Sequence, residues 1–169
     1  MYLMRKVLLM NKYIFRKAEF KDLEDIRLLY KLIKGSIYCP WNEYYPNEEN
    51  LIADFNSNNL FVLNVDVKLI GVISINPENE LDVLNIWENI KCLEFARFAI
   101  SPLYQGMGYG TIIIKEIEKI ILQRGYSSIH ILVYVDNIPA IKLYDKLGYI
   151  NKGKLYMYGR NYFAYEKLI

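Results

Sequence analysis

The sequence predicts an α/β protein that folds as a single domain. Its 169 residues, 53% of them hydrophobic, are enough to bury a sizeable core, and no Pro-, Gly- or Ser-rich stretch divides them. Apolar residues recur with helical spacing in some segments and with strand spacing in others. The dipeptide Gly-Tyr occurs at 125–126 and 148–149, each time where a helical pattern gives way to a strand pattern. These observations predict alternating helices and strands around one core.

The first half of the chain predicts one strand, two helices and a hairpin. Residues 13–17 predict the first strand, and Asp22 is a suitable N-cap for an amphipathic helix that ends at Gly35. Residues 47–56, which are acidic in their first turn, predict a second helix. Two further strands, which we expect to pair as a hairpin, cover residues 60–65 and 69–75.

The second half continues this alternation. A strand is predicted at 93–100, a helix with an isoleucine-rich stripe at 111–124, and a buried strand at 129–135. A short helix follows, with Asn137 as its N-cap and Gly148 just after its end. The last two predicted strands cover residues 149–158 and 162–168. The resulting order of elements is β-α-α-β-β-β-α-β-α-β-β.

A glycine-rich turn, residues 105–110, separates the strand that ends at Ile100 from the helix that is predicted to start at Thr111. Glycines let the backbone approach a ligand closely, and the N–H groups at a helix N-terminus bind anions. The third glycine, Gly110, comes one position too early for Gly-x-Gly-x-x-Gly, which weakens a dinucleotide-binding interpretation. No glycine here is followed by Lys and then Ser or Thr, which excludes a P-loop.

A second block, residues 137–149, supplies the specificity that the turn alone lacks. The pattern Gln-x-x-Gly-x-Gly at 105–110 resembles the acetyl-CoA-binding signature of the GCN5-related N-acetyltransferases, the GNAT family. The pattern Asn-x-x-Ala-x-x-Leu-Tyr-x-x-x-Gly-Tyr at 137–149 resembles a later motif of the same family. The order of elements also matches, so the resemblance covers residues 10–169 as one domain. Residues 1–9 are expected to be an N-terminal extension.

The resemblance implies a fold and a binding site for the coenzyme. It implies a central mixed sheet, mostly antiparallel and flanked by helices, whose parallel strands at 93–100 and 129–135 splay to admit acetyl-CoA. The amides of the turn would bind the pyrophosphate, and the pantetheine arm would lie along a bulged strand. Acetyl-CoA is the expected cosubstrate, and no metal is expected. The residues assigned to the coenzyme are Phe98, Ala99, Ile100, Gln105, Gly106, Met107, Gly108, Tyr109, Gly110, Thr111, Asn137, Ala140 and Tyr144.

The implied reaction needs a neutral amine and a hydrogen-bond donor for the developing oxyanion. It also needs a proton for the leaving thiolate, whose conjugate acid is a thiol with a pKa of about 8.5. The resemblance assigns the proton donor to Tyr144, although a tyrosine in this helix could also simply pack on the sheet. A backbone N–H at or near Phe98 is expected to serve the oxyanion. Glu94 is the best-placed base, unless it pairs with Arg97, and Glu88 with a chain of water molecules is an alternative.

The sequence defines the acceptor site less specifically than the coenzyme site. Residues 36–46 are unusually aromatic and, with Glu43, could hold a cationic amine or form a lid packed on the core. We expect an N-acetyltransferase whose acceptor, the primary amine of a small molecule, attacks acetyl-CoA directly in a ternary complex. A protein N-terminus or lysine is the alternative acceptor. A domain that binds acyl-CoA without catalysis is the alternative from another class.

The remaining sequence features exclude several partners and roles. A net charge of +2, with Lys and Arg interspersed among Asp and Glu, gives no sign of a nucleic-acid or membrane partner. No apolar run approaches the roughly 20 residues of a membrane span. Cys39 and Cys92 lack the spacing of disulfides or metal ligands, which favours the cytoplasm. His130 is expected at a half-buried, structural position in its strand, and a homodimer is possible.

Overall fold

The computed structural model describes residues 12–76, 81, 84–88 and 91–169. The predicted extension, residues 1–9, lies outside these described residues. The strands are β1 Tyr13–Lys17, β2 Leu60–Val65, β3 Lys68–Asn76, β4 Cys92–Ile100, β5 Ser128–Tyr134, β6 Ile150–Met157 and β7 Arg160–Leu168. The helices are α1 Leu23–Ile33, α2 Glu48–Asn56, α3 Tyr109–Gln123 and α4 Ile138–Lys146, and short 3-10 turns lie at Phe20–Asp22 and Pro102–Tyr104. This is the predicted order of elements.

All seven strands belong to one sheet, in the order β1-β2-β3-β4-β5-β7-β6. Every neighbouring pair is antiparallel except β4 and β5, which are parallel. The prediction of a mixed, mostly antiparallel sheet with one parallel pair is therefore confirmed. The parallel pair lies in the interior of the sheet, where α3 provides the crossover connection between its two strands.

The two Gly-Tyr dipeptides form the same helix-to-strand junction, as the sequence predicts. Gly125 after α3 and Gly148 after α4 have φ values of +85° and +82°, in the left-handed region that glycine adopts without strain. The N–H groups of Tyr126 and Tyr149 then bond back to helix carbonyls at 3.3 and 3.0 Å, as in a Schellman motif. Each junction turns the chain sharply from the helix into the next strand.

The helices cover both faces of the sheet. On one face, α3 buries Ile113, Ile114, Ile117 and Ile121 against the central strands. On the other face, α1 and α2 pack a second apolar cluster that includes Ile26, Tyr30 and Leu51. Within the part of the chain that is described, no helix combines the length and apolar character needed to cross a bilayer.

Candidate active site

The parallel strands β4 and β5 separate soon after they begin. They pair at only three positions, Cys92 with Ser128, Leu93 with Ile129, and Glu94 with His130. Beyond these pairs, β5 continues along β7 while β4 continues along β3, so a gap opens between the two strands. The predicted splay is confirmed. The edge of β4 that borders this gap presents backbone groups that an extended ligand can pair with, as in strand addition.

A β-bulge interrupts β4 beside this gap. Across the pair with β3, Val72 faces Ala99 and Ser74 faces Ala96, so that the two residues Arg97 and Phe98 lie opposite a single residue of β3. Arg97 has a φ of +50°, which is unusual for a residue with a side chain. The bulge also reverses the alternation of β4, because Ala99 packs on the α1 face whereas Phe95 packs on the α3 face.

A cavity of about 520 Å³ occupies the gap. It is lined by β4, by β5, by the glycine-rich turn, by α4 and by residues of the loop between α1 and α2. Of the thirteen residues predicted to bind coenzyme, all except Met107 and Tyr109 line this cavity. Met107 is 58% exposed, and the buried ring of Tyr109 packs edge-on against Tyr104. These two side chains therefore point elsewhere, although their backbone N–H groups remain part of the turn.

The glycines of the turn serve two different purposes. Gly106 and Gly108 have φ values of +74° and +92°, and a Cβ placed on either would meet no atom within 4 Å. The backbone there borders open space and has a conformation that favours glycine. At Gly110, by contrast, a Cβ would lie 3.0 Å from Leu143 Cδ2, so this glycine allows α3 and α4 to pack closely. Gln105 anchors the turn by donating from Nε2 to the carbonyl of Ile100 at 2.9 Å.

Helix α3 begins two residues earlier than predicted. Its N-cap is Gly108, and Tyr109 and Gly110 already belong to its first turn, where we expected a start at Thr111. The positive φ of Gly108 lets the chain enter the helix directly from the turn. N–H groups in the first turn have no acceptor within the helix, and the helix dipole adds partial positive charge. This end of α3 is therefore suited to bind a phosphate.

Lys142 and Lys146 of α4 also line the cavity, and the sequence interpretation missed both. They are four residues apart, a spacing that places two side chains on one face of a helix. That spacing, inside the motif at 137–149, was the signal that could have identified them. Among the described residues that line the cavity there is no Asp or Glu, so its ionised side chains are cationic. An anionic ligand matches this charge.

Tyr144 is the predicted proton donor and lies in α4 with its side chain both in the core and on the cavity. It is 5% exposed, and its ring contacts those of Phe95, Tyr149 and Tyr165, with centroids 6.0, 5.4 and 6.3 Å apart. Burial raises the pKa of the Tyr144 hydroxyl above its usual value, which keeps the group protonated at neutral pH. Core packing and contact with the cavity therefore coexist in this residue.

The predicted bases lie outside the cavity lining. Glu94 sits at the last paired position before the strands separate, where Asn76 Nδ2 donates to its Oε2 at 3.5 Å. The side chain of Glu88 is 76% exposed and forms an ion pair with Lys152. Arg97, which we considered as a partner of Glu94, instead forms an ion pair with Asp54.

His130 has the structural position that the sequence predicted, but it is fully buried rather than half-buried. It is 1% exposed, its Nε2 lies 3.1 Å from Glu166 Oε1, and its ring stacks on Trp87 with centroids 4.0 Å apart. It does not line the cavity. The structure therefore brings His130 together with Glu166 and Trp87 rather than with the glycine-rich turn.

The aromatic loop between α1 and α2 contributes to the lining of the cavity. Ser36, Tyr38, Cys39, Pro40 and Trp41 line it, whereas Glu43 does not. The loop is attached to the core, since Trp41 packs edge-on against Tyr30 with ring centroids 5.4 Å apart.

A sheet that splays at a parallel pair, beside a bulged strand and a glycine-rich turn at a helix N-terminus, defines the class of acyl-CoA N-acyltransferase folds. The model of the acetyltransferase (GNAT) family matches residues 24–149, and the chain belongs to this family. Acetyltransferases of this family use acetyl-CoA. Within the described part of the chain, no group of three or more His, Cys, Asp or Glu side chains could hold a metal ion.

Individual proteins agree with this assignment. An acetyltransferase of Pectobacterium atrosepticum is 30% identical over 154 residues, which are 88% of this chain and 97% of that protein. The structure of a GNAT-family acetyltransferase from Streptococcus agalactiae has a TM-score of 0.77 and 23% identity, covering 93% of this chain and 95% of that one. An acetyltransferase from Salmonella typhimurium, solved with its cofactor acetyl-CoA, has a TM-score of 0.71 and 16% identity, covering 93% and 94%. Both structures share the fold.

Proposed function

We propose that the protein transfers the acetyl group of acetyl-CoA to the primary amine of a small molecule, by direct attack in a ternary complex. The observation that carries this proposal is the composition of the cavity. The same cavity is bordered by the glycine-rich turn, by the open edge of β4 and by residues 36 and 38–41 of the aromatic loop. The cavity is therefore bordered both by groups suited to the donor and by groups suited to the acceptor.

The residues of the cavity fit the parts of coenzyme A. Backbone N–H groups of 106–111 would hold the pyrophosphate, and the positive charges of Lys142 and Lys146 would favour the same anion. The edge of β4 from Phe95 to Ile100 would pair with the amides of the pantetheine arm as an added strand. The coenzyme supplies the activated thioester.

Three groups of the chain would then act on the reacting atoms. The amine nitrogen forms a bond to the thioester carbonyl carbon while the carbon–sulfur bond breaks. A backbone N–H of the bulge, at or near Phe98, donates to the carbonyl oxygen as it gains charge. Tyr144 donates its proton to the departing sulfur, and Glu94 accepts the proton of the amine through water. The position of Glu94 at the point where β4 and β5 separate supports this last role.

Replacing Glu94 by Gln tests its role as the base. We expect kcat/KM to fall about 10²-fold, because the group that accepts the proton is lost. Glu88→Gln is the matched comparison, since Glu88 is the other candidate carboxylate and is mostly exposed. An unchanged kcat/KM for Glu94→Gln, or a loss confined to Glu88→Gln, would remove Glu94 from the mechanism.

Replacing Lys142 or Lys146 by Ala tests the contribution of these charges. For each variant we expect the Kd for acetyl-CoA, measured by calorimetry, to rise about fivefold at low salt, which corresponds to about 1 kcal/mol for an exposed charge near a phosphate. The effect should shrink as salt is added, because exposed charges are screened. Lys115→Ala removes an exposed lysine of α3 that does not line the cavity, and should leave the Kd unchanged.

A screen of acceptors tests the proposed function itself. Release of free thiol from acetyl-CoA is followed with small amines, amino acids and peptides under identical conditions. We expect small primary amines to accelerate release more than peptides do. Release with peptides alone would favour a protein acceptor, and no acceptor-dependent release with any class would favour a non-catalytic acyl-CoA-binding domain.

A further inference from the structure

The bulge in β4 has a strained residue at its centre. Arg97 is not glycine, yet its φ of +50° lies in the left-handed region, which a residue with a Cβ occupies at a cost. Such conformations persist when the surrounding structure holds them. The N–H groups that face the gap depend on this geometry, because the bulge determines where the backbone around Phe98 points.

A buried ion pair holds Arg97. Its guanidinium makes a two-pronged contact with Asp54 of α2, with Nε 2.5 Å from Oδ2 and Nη2 2.7 Å from Oδ1. Both side chains are almost completely buried, at 10% and 8% exposure. Asp54 does not line the cavity. A planar guanidinium bound at two points fixes orientation as well as distance.

A buried serine ties the same bulge to β3. Ser74 Oγ donates to the carbonyl of Ala96 at 3.1 Å and accepts from Arg97 Nε at 3.0 Å. The hydroxyl thus joins the two residues at which the strand leaves its regular pairing. Arg97 Nη1 also donates to the hydroxyl of Tyr45, in the loop before α2, at 3.2 Å. The bulge is therefore held from α2, from β3 and from this loop.

We propose that Asp54 and Ser74 are positioning residues for acetyl transfer: they hold Arg97 in its left-handed conformation and thereby aim the backbone N–H groups of the bulge at the thioester carbonyl. The inference rests on the proposed function. A buried ion pair contributes little net stability compared with apolar packing, but it specifies geometry when both partners are fixed. Neither residue lines the cavity, so both would act on the rate through the backbone at 97–98.

The test compares two ion pairs of the same geometry. Asp54→Asn weakens the contact to Arg97, whereas Glu48→Gln weakens the exposed, two-pronged contact between Arg27 and Glu48, with distances of 2.8 and 2.6 Å. We expect Asp54→Asn to lower kcat about 10²-fold, the loss that a misplacement of about 1 Å can cause. Its Kd for acetyl-CoA should stay within about twofold of wild type. Glu48→Gln should change neither quantity.

A second variant keeps the test decisive if Asp54→Asn does not fold. Ser74→Ala preserves the ion pair and removes only the hydroxyl that bridges Ala96 and Arg97. We expect its kcat to fall about tenfold with an unchanged Kd for acetyl-CoA. A folded Asp54→Asn or Ser74→Ala variant with kcat within about twofold of wild type would overturn the proposal. So would a loss that appears only in the Kd.

A spectroscopic readout separates this inference from the proposed function. If the wild-type protein shows no acceptor-dependent turnover, the proposed function fails. The inference is then decided by the backbone amide signal of Phe98 in ¹H–¹⁵N spectra recorded with and without acetyl-CoA. We expect acetyl-CoA to shift this signal in the wild type and to shift it less than half as far in Ser74→Ala. No shift in the wild type, or equal shifts in both proteins, would contradict the inference.

Discussion

Replacing Tyr144 by Phe is expected to lower kcat about 10²-fold while the Kd for acetyl-CoA stays within about twofold of wild type. Only the hydroxyl is lost, so the ring contacts with Phe95 and Tyr149 persist and the fold is retained. Without that hydroxyl the sulfur leaves as an unprotonated thiolate, which raises the barrier. Stopped-flow or steady-state measurement of thiol release gives kcat, and calorimetry gives the Kd for acetyl-CoA.

The pH dependence of this loss is also determined by the environment of Tyr144. Burial raises the pKa of its hydroxyl, so the group stays protonated and able to donate throughout the range from about pH 6 to 9. The ratio of wild-type to Tyr144→Phe turnover should therefore be constant over this range. If the hydroxyl of Tyr144 ionised within this range, the ratio of wild-type to variant turnover would fall as the pH rises toward 9.

The matched control removes a hydroxyl from a neighbouring ring. Tyr149→Phe loses the hydrogen bond from its hydroxyl to Glu118 at 3.0 Å, and Glu118 keeps its ion pair with Lys167 at 2.7 Å. Tyr149 is equally buried but does not line the cavity, so its turnover should be close to that of wild type. Equal turnover losses in the two variants would assign both tyrosines to core packing and refute acid catalysis by Tyr144.

Replacing Gly108 by Ala is expected to weaken acetyl-CoA binding at least about tenfold. The φ of +92° strains any residue with a Cβ, so the first turn of α3 has to shift and its N–H groups lose their alignment. Loss of one charge-assisted hydrogen bond to a phosphate is worth about 1.5–3 kcal/mol, which corresponds to tenfold or more. Calorimetric titration with acetyl-CoA measures this change.

Gly125→Ala is the control for the backbone effect alone. Gly125 follows the other end of α3 with a φ of +85°, has no atom within 4 Å of its Cβ position, and does not line the cavity. Both variants should lose about 1–2 kcal/mol in the free energy of unfolding, from placing Ala in a left-handed conformation. Only Gly108→Ala should lose affinity for acetyl-CoA. Equal affinities of the two variants for acetyl-CoA would mean that the turn does not contribute to coenzyme binding.

Local signals explain why so much of the fold could be predicted. Helix caps, the glycines after helices and the periodicity of apolar residues all act within about ten residues, and they located the eleven elements. The predicted start of α3 was two residues too late, because the sequence did not reveal that Gly108 itself is the N-cap. The bulge was expected only from the family resemblance. The structure shows it in Phe95 and Phe98, which face the same side of the sheet although they are three residues apart.

Long-range contacts explain what could not be predicted. Asp54 and Arg97 are 43 residues apart, so no local pattern indicates their ion pair. From the sequence, the only partner considered for Arg97 was Glu94, in the same strand. Ser74 could not be identified from the sequence, because a serine in an apolar strand gives no sign of a role until the position of the bulge in the neighbouring strand is known. The motifs at 105–110 and 137–149 located the cavity, whereas the residues that hold its geometry became visible only in three dimensions.

The most direct measurement is a crystal structure of the protein with bound coenzyme A. We expect the pyrophosphate oxygens to lie within about 3 Å of the backbone N–H groups of residues 106–111. The amides of the pantetheine arm should pair with β4 between Phe95 and Ile100, and the sulfur should point toward Tyr144. A pyrophosphate bound away from the turn, or a pantetheine arm outside the gap between β4 and β5, would contradict the proposed coenzyme site.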